Sequence, residues 1–305
     1  MKVYLDNAAT TPIDQEVLKT MFSVMENHYG NPSSIHSHGR EVRTLVEKAR
    51  KSVAQILNTA PANIFFTSGG TEADNMAIRC AIEDFGIKHA ITSKIEHHAV
   101  GHTLVHLEQQ GKIKLSYVDV DEKGSINYHH LEELLKDNER SLVSLMHANN
   151  ELGTLTDIEK VGEICEQYHA IFHSDTVQTM GHYKHDLSKL KVHFLVCAAH
   201  KLHGPKGVGF LYVNPSIKIK PMIFGGAQER NMRGGTENVY GIVGLSKALE
   251  MAYADMEAHQ QHIQALKDYM ITELQKAIPE IGFNGETEAN KSLYTVLNVC
   301  FPKMD

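Results

Sequence analysis

Residues 192–207 read Val192-His193-Phe194-Leu195-Val196-Cys197-Ala198-Ala199-His200-Lys201-Leu202-His203-Gly204-Pro205-Lys206-Gly207. An apolar run over 192–197 predicts a strand. The polar, glycine-punctuated stretch after it predicts a turn with Lys201 at its head. One strand–helix unit earlier, Ala170-Ile171-Phe172-His173 ends in Ser174-Asp175-Thr176. Outward from these two, short β-rich runs occupy 64–67, 89–92, 113–118, 142–146 and 208–213. Helical patterns separate them over 72–85, 98–110, 129–136 and 157–168, with Asp157 placed to cap the last. Such alternation implies an α/β fold: a large, mostly parallel sheet flanked by helices, with ligands at the carboxyl ends of its strands. A further helical pattern covers 36–57, and a long one runs from 239 to 277. A strand-like run over 293–301 follows Gly282 and Gly285 and has no evident sheet partner. There is no internal repeat and no low-complexity segment.

Length and composition narrow the function classes. The 305 residues, 42% hydrophobic and 22% charged, suit a globular protein of one large or two ordinary domains. A net charge of −7 without a lysine- or arginine-rich run argues against nucleic-acid and anionic-membrane partners. Cys80, Cys165, Cys197 and Cys300 have no C-x-x-C spacing, so zinc and redox motifs are unsupported. Scattered, core-facing cysteines and the lack of a signal core or long apolar run predict a cytoplasmic protein.

A lysine and an aspartate at neighbouring strand ends are what pyridoxal 5'-phosphate (PLP) requires. The lysine forms a Schiff base, and the aspartate keeps the pyridine nitrogen protonated. Other strand ends carry matching groups. Thr67-Ser68-Gly69-Gly70-Thr71-Glu72 is a strand, a glycine turn and a helix start, which is an anion site. By itself it reads first as a glycine turn capped by a threonine. His97, after the run ending at Thr92, has the place and chemistry to stack on a flat ring and move protons. His98, His102 and His106 recur at four-residue spacing without a carboxylate partner and read as surface or packing residues. Asn149-Asn150-Glu151 offers an amide to a phenolic oxygen, and Asp175 and Gln178 follow the next strand. Lys206 lies in Gly204-Pro205-Lys206-Gly207, which lacks P-loop spacing and leads into a strand, so it reads as a solvated turn lysine. Arg233-Gly234-Gly235-Thr236 precedes the long helix and offers a second phosphate contact.

Taken together, the chain resembles the cysteine desulfurases of the NifS/IscS group, within the class V aminotransferase-like PLP enzymes. The resemblance rests on Leu5-Asp6-Asn7-Ala8-Ala9-Thr10-Thr11-Pro12 and Tyr29-Gly30-Asn31-Pro32-Ser33-Ser34. It continues through residues 67–75, Glu96-His97, and residues 147–153, 175–178, 200–209 and 232–236, in the family's order. It implies the PLP-dependent transferase fold, like that of aspartate aminotransferase. The large PLP-binding domain would span 15–255. Residues 1–14 and 256–305 would form a small α+β lobe, expected to be incomplete.

The resemblance also implies roles. Lys201 would carry the cofactor and Asp175 would pair with its pyridinium. Asn150 and Gln178 would bond the phenolic oxygen, and His97 would stack on the ring. Gly70, Thr71 and His200 would hold the phosphate. Thr236 would reach the phosphate of a partner subunit, implying a homodimer, and Asn7 would help hold the substrate carboxylate. Implied partners are L-cysteine and a sulfur-acceptor or scaffold protein in iron–sulfur cluster or thio-cofactor assembly. A selenocysteine lyase, another class V enzyme, and a non-catalytic scaffold homologue are the alternatives.

Two departures stand out. Ala198 occupies a position where the family usually has a serine, which removes one phosphate hydrogen bond. The family's nucleophilic cysteine lies beyond the point matching Asp305, and its substrate-clamping arginine lies further on. Cys300 matches the strand before that loop, where alternation predicts a buried, inert thiol. The chain as written is therefore expected to supply the PLP half of the reaction and to be inactive in sulfur transfer.

Overall fold

The computed structural model describes residues 2–138 and 140–302, so the chain end at Asp305 lies outside the described residues. Helices α1 (Gln15–Asn27) and α2 (Ser37–Ile56) come first. Then β1 (Ile64–Thr67), α3 (Gly70–Phe85), β2 (His89–Thr92), α4 (His98–Gln109), β3 (Lys114–Tyr117) and α5 (Tyr128–Lys136) alternate. The alternation continues with β4 (Ser141–Ser144), α6 (Ile158–Gln167), β5 (Ile171–Asp175), β6 (Phe194–Ala198) and β7 (Gly209–Val213). These strands form one sheet in the order β1-β7-β6-β5-β4-β2-β3. Only β7 runs antiparallel to its neighbours. The carboxyl ends of β1, β2, β4, β5 and β6 therefore share one edge.

Side-chain alternation divides the core between the two faces of the sheet. On β6, Phe194 and Val196 pack with α3 and α4, while Leu195 and Cys197 pack on the opposite cluster with α2, α6 and the later helices. Cys197 is fully buried, as its strand position predicts. Asp157 caps α6 by accepting from the Lys160 amide. A helix absent from the sequence reading, α1, is capped by Asp14 and buries Val17, Met21 and Val24 on one stripe. Its opposite face leaves Leu18, Phe22 and Met25 exposed, with Tyr29 just beyond.

After β7 come a four-residue helical turn, α7 (Gln228–Asn231), and two helices, α8 (Val239–Ala254) and α9 (Met256–Ala277). The expected single helix over 239–277 is thus broken at Asp255. No proline or glycine marks the break; α8 buries Ile242, Leu245 and Leu249, whereas α9 buries only Met256 and Lys267. The expectation of an unpartnered final strand is also corrected. β9 (Asn298–Cys300) pairs antiparallel with β8 (Gly282–Asn284). Cys300 is exposed rather than buried, because this two-stranded ribbon does not cover that side.

The α7 turn is held in an unfavourable conformation. Glu229, Arg230 and Asn231 have φ of 45°, 57° and 66°, which side chains other than glycine rarely adopt. A buried ion pair fixes it. Arg50 meets both Glu229 oxygens at 2.7 and 2.8 Å, and Glu229 also accepts from the Phe66 amide at 2.8 Å. Glu229→Ala would leave the Arg50 guanidinium in the core with the exposed Glu47, at 3.2 Å, as its remaining carboxylate, and removing a buried partner typically costs about 3–5 kcal/mol. Urea unfolding should show a loss of that size. A loss below ~1 kcal/mol, the range of an exposed pair, would mean that the pair does not hold the turn.

Candidate active site

A cavity of about 400 Å³ opens at the carboxyl edge of the sheet, and five strand ends supply its walls. From β1 the chain turns through Gly69, whose φ of 151° favours glycine, into α3. At Gly70 a Cβ would lie 2.8 Å from Val177 Cγ2, so no side chain fits between the start of α3 and the loop after β5. Gly70 and Thr71 line the cavity at this helix N-terminus, where amide N–H groups and the helix dipole favour an anion. Glu72 secures the turn: it accepts from the Ser68 amide at 3.0 Å and pairs with Arg233 at 2.8 and 3.0 Å.

His97 follows β2 and caps α4, its Nδ1 accepting from the Ala99 amide at 3.1 Å. That bond leaves Nε2 as the proton-bearing nitrogen. After β4, Asn149 shapes the turn, accepting from the Glu151 and Leu152 amides and donating to the Ile95 carbonyl. Asn150, not Asn149, lines the cavity. Asp175 ends β5, is buried, and accepts from the Val177 amide at 2.9 Å. Burial raises its pKa, opposed by that N–H and by the neighbouring His97 and Lys201.

The turn after β6 carries His200 and Lys201. Burial lowers the pKa of the Lys201 ammonium, offset by Asp175, Asp6 and Glu151. A lysine held this way gives up its proton more readily and becomes a nucleophile. Burial, with the charges of Lys201 and Lys206, pushes His200 down to about 4, so it is neutral. Lys206 is exposed, as read from its turn.

An N-terminal strap closes one side. Lys201 Nζ donates to the carbonyls of Ala8 and Ala9, and Gln178 Nε2 donates to Ala8 at 3.0 Å. His200 Nδ1 lies 3.2 Å from Thr10 Oγ1. Lys201, His97, Gly70, Thr71, Asn150, Asp175, Gln178 and His200 thus meet around one cavity. Two expected members do not. Asn7 is exposed and does not line it, because the strap presents Asp6 and the Ala8 and Ala9 backbone instead. Thr236 is exposed and lines a separate cavity of about 110 Å³ with Ser68, Gly207 and Arg233.

The sequence reading missed two buried acids. Asp74 lines the cavity at full burial, and Glu96 lies behind it, accepting from the Met146 amide and the Ser93 hydroxyl. Burial pushes Glu96 up to about 8. The signal for Asp74 was available: it stands four residues after Gly70, on the same helix face. Ligand-capable atoms of Asp74, His97 and Asp175 all lie within 4.8 Å of one another. With Nδ1 of His97 accepting an N–H, its Nε2 is a donor rather than a metal ligand, so the trio is an acid–base cluster.

The aminotransferase class-V family model matches residues 3–305. The chain belongs to the class-V aminotransferase family. Within it, the chain is 45% identical over 287 residues to the cysteine desulfurase IscS of Dictyoglomus turgidum, covering 93% of this chain and 72% of that protein. It is 44% identical to the putative cysteine desulfurase IscS 1 of Bacillus subtilis, covering 99% and 79% of the two chains. Among solved structures, a NifS-like protein superposes with a TM-score of 0.95 at 39% identity, covering 100% of this chain and 83% of that one. SspA in complex with cysteine superposes with a TM-score of 0.84 at 33% identity, covering 98% and 84%. The class-V fold is a PLP-dependent fold, and its sheet edge is where the cavity lies.

Proposed function

We propose that the chain binds PLP and performs the cofactor-dependent half of a cysteine desulfurase reaction. In that reaction L-cysteine and a protein thiol yield L-alanine and a persulfide. One observation carries this reading: an amine, a buried carboxylate, a histidine and a helix N-terminus surround one cavity of about 400 Å³. The donor set fits PLP. The α3 N-terminus beside Gly70 suits a phosphate.

Bound in the cavity, PLP withdraws electrons from the substrate's Cα. The residues of this chain do the rest. Lys201 Nζ holds the cofactor and later takes the α-proton. Asp175 keeps a proton on the pyridine nitrogen. His97 covers the ring and passes protons through Nε2. Asn150 and Gln178 donate to the phenolic oxygen, and Gly70, Thr71 and His200 hold the phosphate. Asn7 is left a secondary contact to the substrate carboxylate, reached only if the strap shifts.

A homodimer fits the exposed apolar stripe of Leu18, Phe22, Met25 and Tyr29. In it, Thr236 would serve the partner's phosphate site from its exposed loop. Residues 15–255 would form the large domain, and 1–14 with 256–305 the small lobe; the break at Asp255 and the separate β8–β9 ribbon favour that division. No helix among the described residues is long and apolar enough to cross a membrane. A cytoplasmic site of action and a sulfur-acceptor or scaffold protein complete the proposal.

The test is α-proton exchange. PLP-loaded protein in heavy water should place deuterium at Cα of bound cysteine or alanine, read by NMR. Retention of the α-proton under saturating substrate would refute the reading. A smaller effect arises at Ala198, whose Cβ lies 3.6 Å from a Cβ built on Gly70. Ala198→Ser adds a hydroxyl at the phosphate end, worth about 0.5–1.5 kcal/mol, or roughly 2- to 10-fold tighter PLP binding. Unchanged or weaker binding by equilibrium titration would remove Ala198 from the phosphate site.

A further inference from the structure

Asp74 has surroundings that none of the roles above explains. It is 1% exposed, and its Oδ1 has no hydrogen-bond partner. Beside that oxygen, at 3.3 Å, lies His173 Nε2, which is also buried without a partner. The other nitrogen of His173, Nδ1, lies 2.8 Å from Ser144 Oγ. Two buried polar atoms facing each other unpaired are costly, and a single proton between them satisfies both.

That proton has two possible homes, and Asp175 decides between them. Asp74 and Asp175 present oxygens within 4.8 Å of each other in a buried site, where two negative charges repel strongly. Asp175 has the better claim to the charge, since it accepts the Val177 N–H and faces the Lys201 ammonium. Asp74 has no donor from the backbone.

We infer that Asp74 is carried as an uncharged carboxylic acid, its proton directed to Nε2 of His173, and that it acts as a positioning residue for Asp175. With Asp74 uncharged, the negative charge of the pair is confined to Asp175. His173 is then neutral, with its Nδ1–H donating to Ser144. The directions of titration agree: burial and the neighbouring acids hold Asp74 well above the usual carboxyl range, and burial pushes His173 down to about 3. This role rests on the proposed use of Asp175, but the protonation state does not require the cofactor.

Infrared difference spectroscopy of the cofactor-free chain tests it. A protonated-carboxyl C=O band should be present at neutral pH. Carbon-13 aspartate should shift it, which separates it from Glu96, whose pKa burial also raises. Asp74→Asn should abolish it. A missing band, or one that survives Asp74→Asn and vanishes in Asp175→Asn, would overturn the assignment. A stability titration supplies a second readout. An acid whose folded pKa is raised favours folding below its unfolded value of about 4, and that contribution is lost as pH rises through the folded value. Stability of the wild type should therefore fall more steeply with rising pH than that of Asp74→Asn. Glu96, Asp175, His97, His173 and Lys201, the other titratable groups around it, remain in both proteins. Parallel pH profiles would show Asp74 to be charged when folded. Failure of PLP to bind would sink the proposed function while leaving the infrared result standing.

Discussion

Asp175→Asn should take up PLP yet exchange the substrate α-proton about 10²–10⁴-fold more slowly than the parent chain. The carboxylate lies buried at the end of β5, with one backbone N–H as its fixed partner. Its remaining lone pairs face the cavity, where a protonated ring nitrogen would complete a buried ion pair. Removing one member of such a pair typically costs about 3–5 kcal/mol, which sets the rate loss through about 1.4 kcal/mol per factor of ten. An asparagine preserves shape and can still accept the Val177 N–H, so cofactor uptake persists. It cannot hold a positive charge in the ring. Exchange at the parent rate in this variant would remove Asp175 from the chemistry.

The second large effect concerns sulfur. This chain of 305 residues should release no sulfide from cysteine above the background of free PLP. A persulfide-forming thiolate needs held geometry, worth effective concentrations of about 10⁵ M or more. None of the four cysteines lines the cavity. Cys80, Cys165 and Cys197 are buried, and burial raises all three thiols, Cys80 to about 12. Such thiols are inert. Cys300 is exposed on the β8–β9 ribbon, but it too lies outside the cavity lining. Sulfide assays with a reductant, run beside the D. turgidum cysteine desulfurase, should show activity in the relative alone. Turnover that disappears in Cys300→Ala would make Cys300 the nucleophile.

Much of this site was legible because strands punctuate it. Continuous apolar runs ended just before Asp175 and Lys201, and the sheet brought those ends together. The glycine turn before α3 was readable for the same reason. What stayed hidden depends on contacts between distant segments. The Ala8 and Ala9 carbonyls bind Lys201 through their backbone, which carries no side-chain signal. Asp74 looked like an ordinary acid in the first turns of a helix, and only packing against β5 buries it. The β8 and β9 strands are three residues each, too short for alternation to declare a face. That brevity explains the misjudged exposure of Cys300. The break at Asp255 follows from a change in what the two helices pack against, which local sequence does not record.

The attachment point of the cofactor is the most direct test of the central claim. The purified chain, incubated with PLP, should acquire a visible absorbance that borohydride removes. Peptide mapping by mass spectrometry should then find the reduced pyridoxyl adduct on Lys201, the lysine that lines the cavity. An adduct on exposed Lys206 instead, or no adduct at all, would contradict the account.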